Sequence, residues 1–194
     1  MNTEVIERRR SIRRFREEEV PGEMVLQILE AARLAPSAKN AQPWRFLVLG
    51  PRSRDMALNA MDAGIRCRMD TVKNRPLLAS AVHTLRIMKS APVLILVVNP
   101  TGGAPADSIS GAARVMELLD TMSVGAAVEN LLLEAEALKL GALWIGNTFF
   151  AYDEITSALA IQGQLLGAVA VGWPDESPEP RPRKSMEEIA GFLP

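Results

Sequence analysis

The run Glu7-Arg8-Arg9-Arg10-Ser11-Ile12-Arg13-Arg14-Phe15 packs five arginines into nine residues, around one serine and ending on one aromatic. Left as solvated coil, such a run is a basic surface. Folded around a cavity, it is an anion site, because guanidinium groups offer paired donors matched to phosphate. What flanks it decides between the two. Glu4–Arg10 predicts a short helix with Val5 and Ile6 as apolar anchors and Thr3 as N-cap. Pro21 suits the first turn of a second helix, with Met24, Leu26, Ile28, Leu29, Ala32 and Leu34 at its apolar positions. That helix stops at Ala35, since the residue before a proline is pushed out of the α region. The loop Pro36–Pro43 is then rigid at both ends and small between them.

Farther along, Trp44–Leu49 reads as a buried strand, ended by Gly50-Pro51, and a helix follows from Arg52 to about Ala63. Gly64–Ser90 is amphipathic and basic, carrying Arg66, Arg68, Lys73, Arg75, Arg86 and Lys89, and predicts one or two helices. Pro92–Asn99 is a second buried strand, and Pro100–Asp107, rich in glycine and proline, is a loop. Ser110–Leu140 carries a long helical pattern that is apolar on most sides, which places it in a core or a subunit interface. Gly141 suits its C-cap. Leu143–Gly146 is a short strand or turn, Tyr152–Ala160 a short helix, and Leu165–Val171 a third buried strand closed by Gly172. Pro174, Pro178, Pro180 and Pro182 keep the tail extended, and Ser185 caps a last short helix through Ala190. The element order is α+β, a small sheet wrapped by helices in a single domain over residues 1–194.

Composition narrows the chemistry. The 194 residues are 48% apolar with net charge −1, so the molecule as a whole is expected to bind neither nucleic acid nor membrane. A single cysteine, Cys67, and a single histidine, His83, leave no multi-cysteine metal site and no histidine cluster. Gly-x-Ser-x-Gly, Walker A and Gly-x-Gly-x-x-Gly patterns are absent, which argues against a serine hydrolase, a P-loop and a dinucleotide-binding turn. No apolar leader precedes the basic run, and no apolar run reaches membrane-spanning length, so the expected compartment is the cytoplasm.

The basic run, the segment Ala35-Pro36-Ser37-Ala38-Lys39-Asn40-Ala41-Gln42-Pro43-Trp44, the segment Leu140–Asn147 and the basic tail Arg181-Pro182-Arg183-Lys184 occur in an order that resembles the nitroreductase family. These are small flavoproteins that hold FMN and reduce organic substrates with NAD(P)H. The resemblance implies a small, mainly antiparallel sheet wrapped by helices, and an intertwined homodimer with two flavins at its interface. It implies that Arg9, Arg10, Ser11, Arg181 and Arg183 hold the phosphate and ribityl end, and that Arg13 faces the N1–C2=O edge of the ring. Gly146, with Trp144, Ile145 and Asn147, matches the segment that offers a backbone N–H to N5. Pro36, Ser37, Ala38 and Asn40 match the loop that reaches the flavin of the other subunit. FMN and NAD(P)H are the implied cofactor and co-substrate, and a nitroaromatic, quinone or similar small molecule the acceptor. No protein nucleophile is implied, because the flavin carries the chemistry. Relatives with other flavin chemistry (dehalogenation, dehydrogenation, flavin fragmentation), or a flavin-binding protein without turnover, remain alternatives. The chain departs from the family in showing Glu129-Asn130 where glutamine often precedes the asparagine. Arg86 is the only candidate for the middle flavin contacts.

Overall fold

A computed structural model describes residues 3–69 and 75–193. The elements are α1 (Glu4–Arg8), α2 (Gly22–Arg33), β1 (Arg45–Val48), α3 (Pro51–Cys67), α4 (Arg75–Ser90), β2 (Val93–Asn99), α5 (Gly111–Ala137), β3 (Gly141–Ile145), α6 (Tyr152–Ala158), β4 (Gln164–Gly172) and α7 (Met186–Ile189), with short 3₁₀ turns at Ala38–Asn40 and Asn147–Ala151. The four strands pair in the order β1-β2-β4-β3, and all three pairings are antiparallel.

β2 and β4 are the central strands, and their apolar runs are continuous because helices cover both faces of the sheet. Alternate residues serve opposite layers. Leu94, Leu96 and Val98 join Ala168 and Ala170 in a core with α3, α4 and α6, whereas Ile95 and Val97 join Val169 and Val171 in a core with α2 and α5. α2 buries Val25, Ile28 and Ala32, and the Asn130 carboxamide of α5 donates to Ala31 O at 3.1 Å. On the other face, one Arg54 guanidinium nitrogen donates to the carbonyls of Met88, Lys89 and Ala91 at 3.3, 2.8 and 2.7 Å, tying α3 to the open end of α4.

Several sequence expectations are corrected. The first helix ends at Arg8, two residues early, so Arg9 and Arg10 lie just past it, and Thr3 makes no side-chain cap. Trp44–Leu49 is not a buried strand: β1 is an edge strand whose Arg45 and Val48 are exposed. Gly64–Ser90 divides between the end of α3 and all of α4, while Lys73 and the rest of 70–74 lie outside the described residues. Gly141 does not cap α5. Leu138 does, followed by Lys139 at φ 63°, with Lys139 N–H bonded to Glu136 O at 3.0 Å and Leu140 N–H to Ala135 O at 2.8 Å, the Schellman pattern. Gly141 instead opens β3 where a Cβ would come within 2.8 Å of Ile12 Cγ2, so its use is close packing. α5 itself is two-sided in a way its pattern does not show: Val124, Ala127, Val128, Leu131 and Leu132 are buried, whereas Val115, Leu118 and Met122 are exposed along one face of its first half. Ser185 forms the capping box of α7 as its position suggests.

Candidate functional site

The site begins where the basic run leaves α1. Beyond Arg10 the chain lies along β3: Ser11 bridges Ala142 in parallel, and Ile12 N–H donates to Ala142 O at 3.0 Å. It then crosses the exit of β4, with Phe15 bridging Pro174 and Arg16 N–H donating to Trp173 O at 2.9 Å. Ile12 and Phe15 are buried, which fixes the extended segment and turns Ser11 and Arg13 to the face opposite Ile12. The tail is held to the same seam by Glu176, whose Oε1 accepts from Arg13 N–H and, at 3.2 Å, from Arg14 N–H. The sequence carries no signal for that carboxylate beyond its place among tail prolines.

The consequence is one small cavity, about 70 Å³, lined by Arg9, Arg10, Ser11, Arg13, Pro178, Glu179, Arg181 and Arg183. All six residues expected from the basic run and the tail meet there, from chain positions some 170 residues apart. Glu179 is the one carboxylate of the lining. Arg9 Nε pairs with Glu129 of α5 at 3.2 Å. Among the described residues Arg10, Arg13, Arg181 and Arg183 form no ion pair; the guanidinium groups of three turn to backbone carbonyls, Arg10 to Glu7 O at 2.6 Å, Arg13 to Ser11 O at 3.0 Å and Arg183 to Arg181 O at 3.2 Å. Five converging cations against the single lining carboxylate leave a net repulsion, and a bound anion relieves it. The cavity has several times the space a water needs. Glu129 thus acts as a brace for Arg9.

Along β3 from this cavity stand Trp144, Ile145 and Gly146. Ile145 is buried, and Trp144 is 45% exposed on the α5 side of the sheet. Its indole lies across Gly167 of β4 toward Gly125 of α5, since a Cβ at those glycines would come within 3.4 Å of Nε1 and 3.8 Å of Cη2. Gly146 is exposed, and a Cβ there would meet nothing within 4 Å. The Asn147 side chain turns to α4. Arg86 lies exposed on α4 and takes no part in the arginine cavity.

Pro36, Ser37, Ala38 and Asn40 do not join the cavity of their own chain. Ala38 N–H lies 3.4 Å from Ser123 Oγ of α5. Gly125 and Glu129, which mark Trp144 and Arg9, share a face of that helix, about 40° apart, whereas Ser123 is about 160° from Gly125. The loop is stiffened locally, Gln42 N–H donating to Ser37 Oγ at 2.9 Å, and it holds Lys39, Asn40 and Gln42 at positive φ. Strain of this kind persists only where the surroundings impose it.

A family model described as Nitroreductase family matches residues 6–173. The chain belongs to the nitroreductase family. YfhC of Bacillus subtilis, an NAD(P)H nitroreductase by name, is 26% identical over 187 residues, 95% of this chain and 90% of that protein. The 5,6-dimethylbenzimidazole synthase of Rhodospirillum rubrum is 28% identical over 173 residues, 87% and 79% of the two chains. A crystal structure of a Desulfovibrio desulfuricans protein named as a nitroreductase, in complex with FMN, superposes with a TM-score of 0.74 at 31% identity, covering 98% of this chain and 95% of that one. The matched region ends at Trp173, so Arg181 and Arg183 enter the cavity from a tail beyond it. Among the described residues no helix is long and apolar enough to cross a membrane.

Proposed function

We propose that the protein is an FMN-dependent oxidoreductase that takes hydride from NAD(P)H and passes it to a nitroaromatic, quinone or similar small acceptor, in alternating half-reactions at one site of a homodimer. The observation that carries this reading is the convergence of Arg9, Arg10, Ser11, Arg13, Arg181 and Arg183 on one cavity beside β3. The donor set fits FMN: for a phosphate, four guanidinium groups of which, among the described residues, only Arg9 is ion-paired, an exposed indole for an apolar ring, and at Gly146 a backbone free of side chain.

When bound, FMN supplies a centre, N5, that accepts and returns hydride. The chain's own residues bind and tune. Arg9, Arg10, Arg181 and Arg183 hold the phosphate, each charge-assisted bond contributing about 1.5–3 kcal/mol. The Ser11 hydroxyl serves the same end. Arg13, the cation set two residues beyond Ser11, would favour the negative charge that arrives on the ring with hydride. Trp144 would wall the ring, and the Gly146–Asn147 backbone would offer N–H donors. Pro36, Ser37, Ala38 and Asn40, which do not line their own chain's cavity, would complete the site of the partner subunit. The exposed row Val115, Leu118 and Met122 is the surface such a dimer would cover.

The test is direct. Purified protein should carry a yellow chromophore with the spectrum of FMN, prefer FMN over riboflavin, and oxidise NAD(P)H when a nitroaromatic or quinone is supplied. FMN binding without acceptor-dependent NAD(P)H oxidation would refute the turnover. The similarity to a 5,6-dimethylbenzimidazole synthase favours a second reading, flavin fragmentation. Under it, reduced FMN would disappear in air and a benzimidazole would accumulate.

A further inference from the structure

The turn after β3 is anchored from α4. Asn147 opens that turn, and its Nδ2 donates to Thr84 Oγ1 at 2.8 Å and to Ser80 Oγ at 3.2 Å. Both acceptors lie on α4 four residues apart, hence on one face. The two hydrogens of the amide nitrogen are thereby both used. Thr84 is 7% exposed in a helix whose other buried residues are apolar, and a hydroxyl in such a place is costly unless it is bonded. On the near side, Ile145 is paired with Ala168 of β4. The Gly146–Asn147 peptide is therefore gripped at both ends, by the sheet and by α4. α4 is in turn held at its far end by Arg54.

We propose that Thr84, supported by Ser80, is a positioning residue for the redox chemistry: through the Asn147 carboxamide it fixes the direction of the N–H groups at Gly146–Asn147. The inference rests on the proposed function, in which those groups face the flavin. An N–H directed at N5 bonds an acceptor in the oxidised ring, whereas the reduced ring carries hydrogen there. Its alignment sets the redox equilibrium. Retention of the cofactor belongs to the arginines along β3 from this turn. Ser80 and Thr84 thus couple the helix that follows 70–74 to the potential of the flavin, without touching it.

The experiment compares FMN-loaded wild type with Thr84→Val, Thr84→Ser and Ser80→Ala, reading the two-electron midpoint potential, the dissociation constant of FMN and the melting temperature of the apoprotein. Valine keeps the shape and removes the hydroxyl; serine keeps the hydroxyl and removes a methyl. Thr84→Val should shift the redox equilibrium toward reduced flavin about three- to tenfold, roughly 15–30 mV upward, with FMN affinity within about threefold of wild type. Thr84→Ser should restore the wild-type potential, and Ser80→Ala should shift it less, in the same direction. A role in packing alone gives the reverse order, valine silent and serine disturbed, and overturns the inference. Should Thr84→Val not fold, Ser80→Ala, at an exposed position, carries the test, and an unchanged potential there overturns it. A wild type that takes up no FMN refutes the proposed function itself, a result distinct from loaded protein whose potential ignores Thr84.

Discussion

Around the arginine cavity the chain supplies the walls itself, with Ile12 and Phe15 buried, Ser11 bridged to β3 and the tail fastened by Glu176, whereas around Met122, on a helix shared by both regions, the surface is bare. α5 serves both: its second half is a core element that braces Arg9 through Glu129, and its first half presents Val115, Leu118 and Met122 outward, while Ala113, Met116 and Glu117 of the same half line a cavity with Ala41 and Gln42 of the strained loop. The contrast teaches that the two ends of the proposed flavin site have different origins. The phosphate end is an intrachain construction. In the proposed dimer, the other end would acquire its missing wall by association.

The largest expected effect breaks the bare side. Leu118→Glu combined with Met122→Glu places charges on the exposed row, and a dimer that buries it would lose both packing and affinity. FMN affinity should fall by more than about a hundredfold, and the variant should sediment as a monomer. In the wild type, melting temperature should rise with protein concentration, because folding and association are linked. A wild type already monomeric at micromolar concentration with FMN fully bound would mean that one chain completes the site, and the comparison would collapse.

Next in size are the arginines. Arg9→Ala or Arg183→Ala should cost about 1.5–3 kcal/mol of FMN binding, ten- to a hundredfold, while riboflavin affinity stays near that of wild type and the dimer persists. Loss of riboflavin and FMN binding in equal measure would assign these side chains to the fold.

The arginine end was the more legible in sequence, and the reason is physical. Charge clusters, proline spacing and continuous apolar strands are local signals, and β2, β4, α5 and the loop Pro36–Pro43 announce themselves by them. Long-range hydrogen bonds do not. Thr84 and Ser80 lie 63 and 67 residues from Asn147 and look like ordinary polar positions in an amphipathic helix. The division of α5 into a covered and a bare half was illegible as well, since apolar residues recur on both. Gly141 misled because a glycine after a helix usually serves the left-handed C-cap position, whereas here Lys139 takes that role and Gly141 admits Ile12.

That close approach supplies a third prediction. Gly141→Ala puts a methyl within 2.8 Å of Ile12 Cγ2, against the residue that pins the basic run to β3. Overpacking of this kind costs about 1–3 kcal/mol of stability. FMN affinity should fall with it, as Ser11 and Arg13 shift, while the dimer interface is untouched. Unchanged stability would show that Ile12 yields freely, and that the arginine end is less rigid than its buried anchors suggest.

The smallest effect separates strain that serves the fold from strain that serves the site. Lys139 and Gln42 both hold positive φ, 63° and 49°, which costs a side-chain-bearing residue and costs glycine little. Lys139 closes α5 through a Schellman pattern made entirely of backbone bonds, so Lys139→Gly keeps every one of them. It should stabilise the protein by about 0.5–1 kcal/mol, a few degrees in melting temperature, with FMN affinity unchanged. Gln42→Gly relieves similar local strain, but in a loop that the proposed function sets against a partner subunit's flavin. Greater freedom there must be given up on binding. Stability should therefore change little or rise slightly, while FMN dissociates about two- to threefold faster. Equal FMN retention in both variants would place the loop outside the site, and the strain at Lys39–Gln42 would then belong to the fold alone.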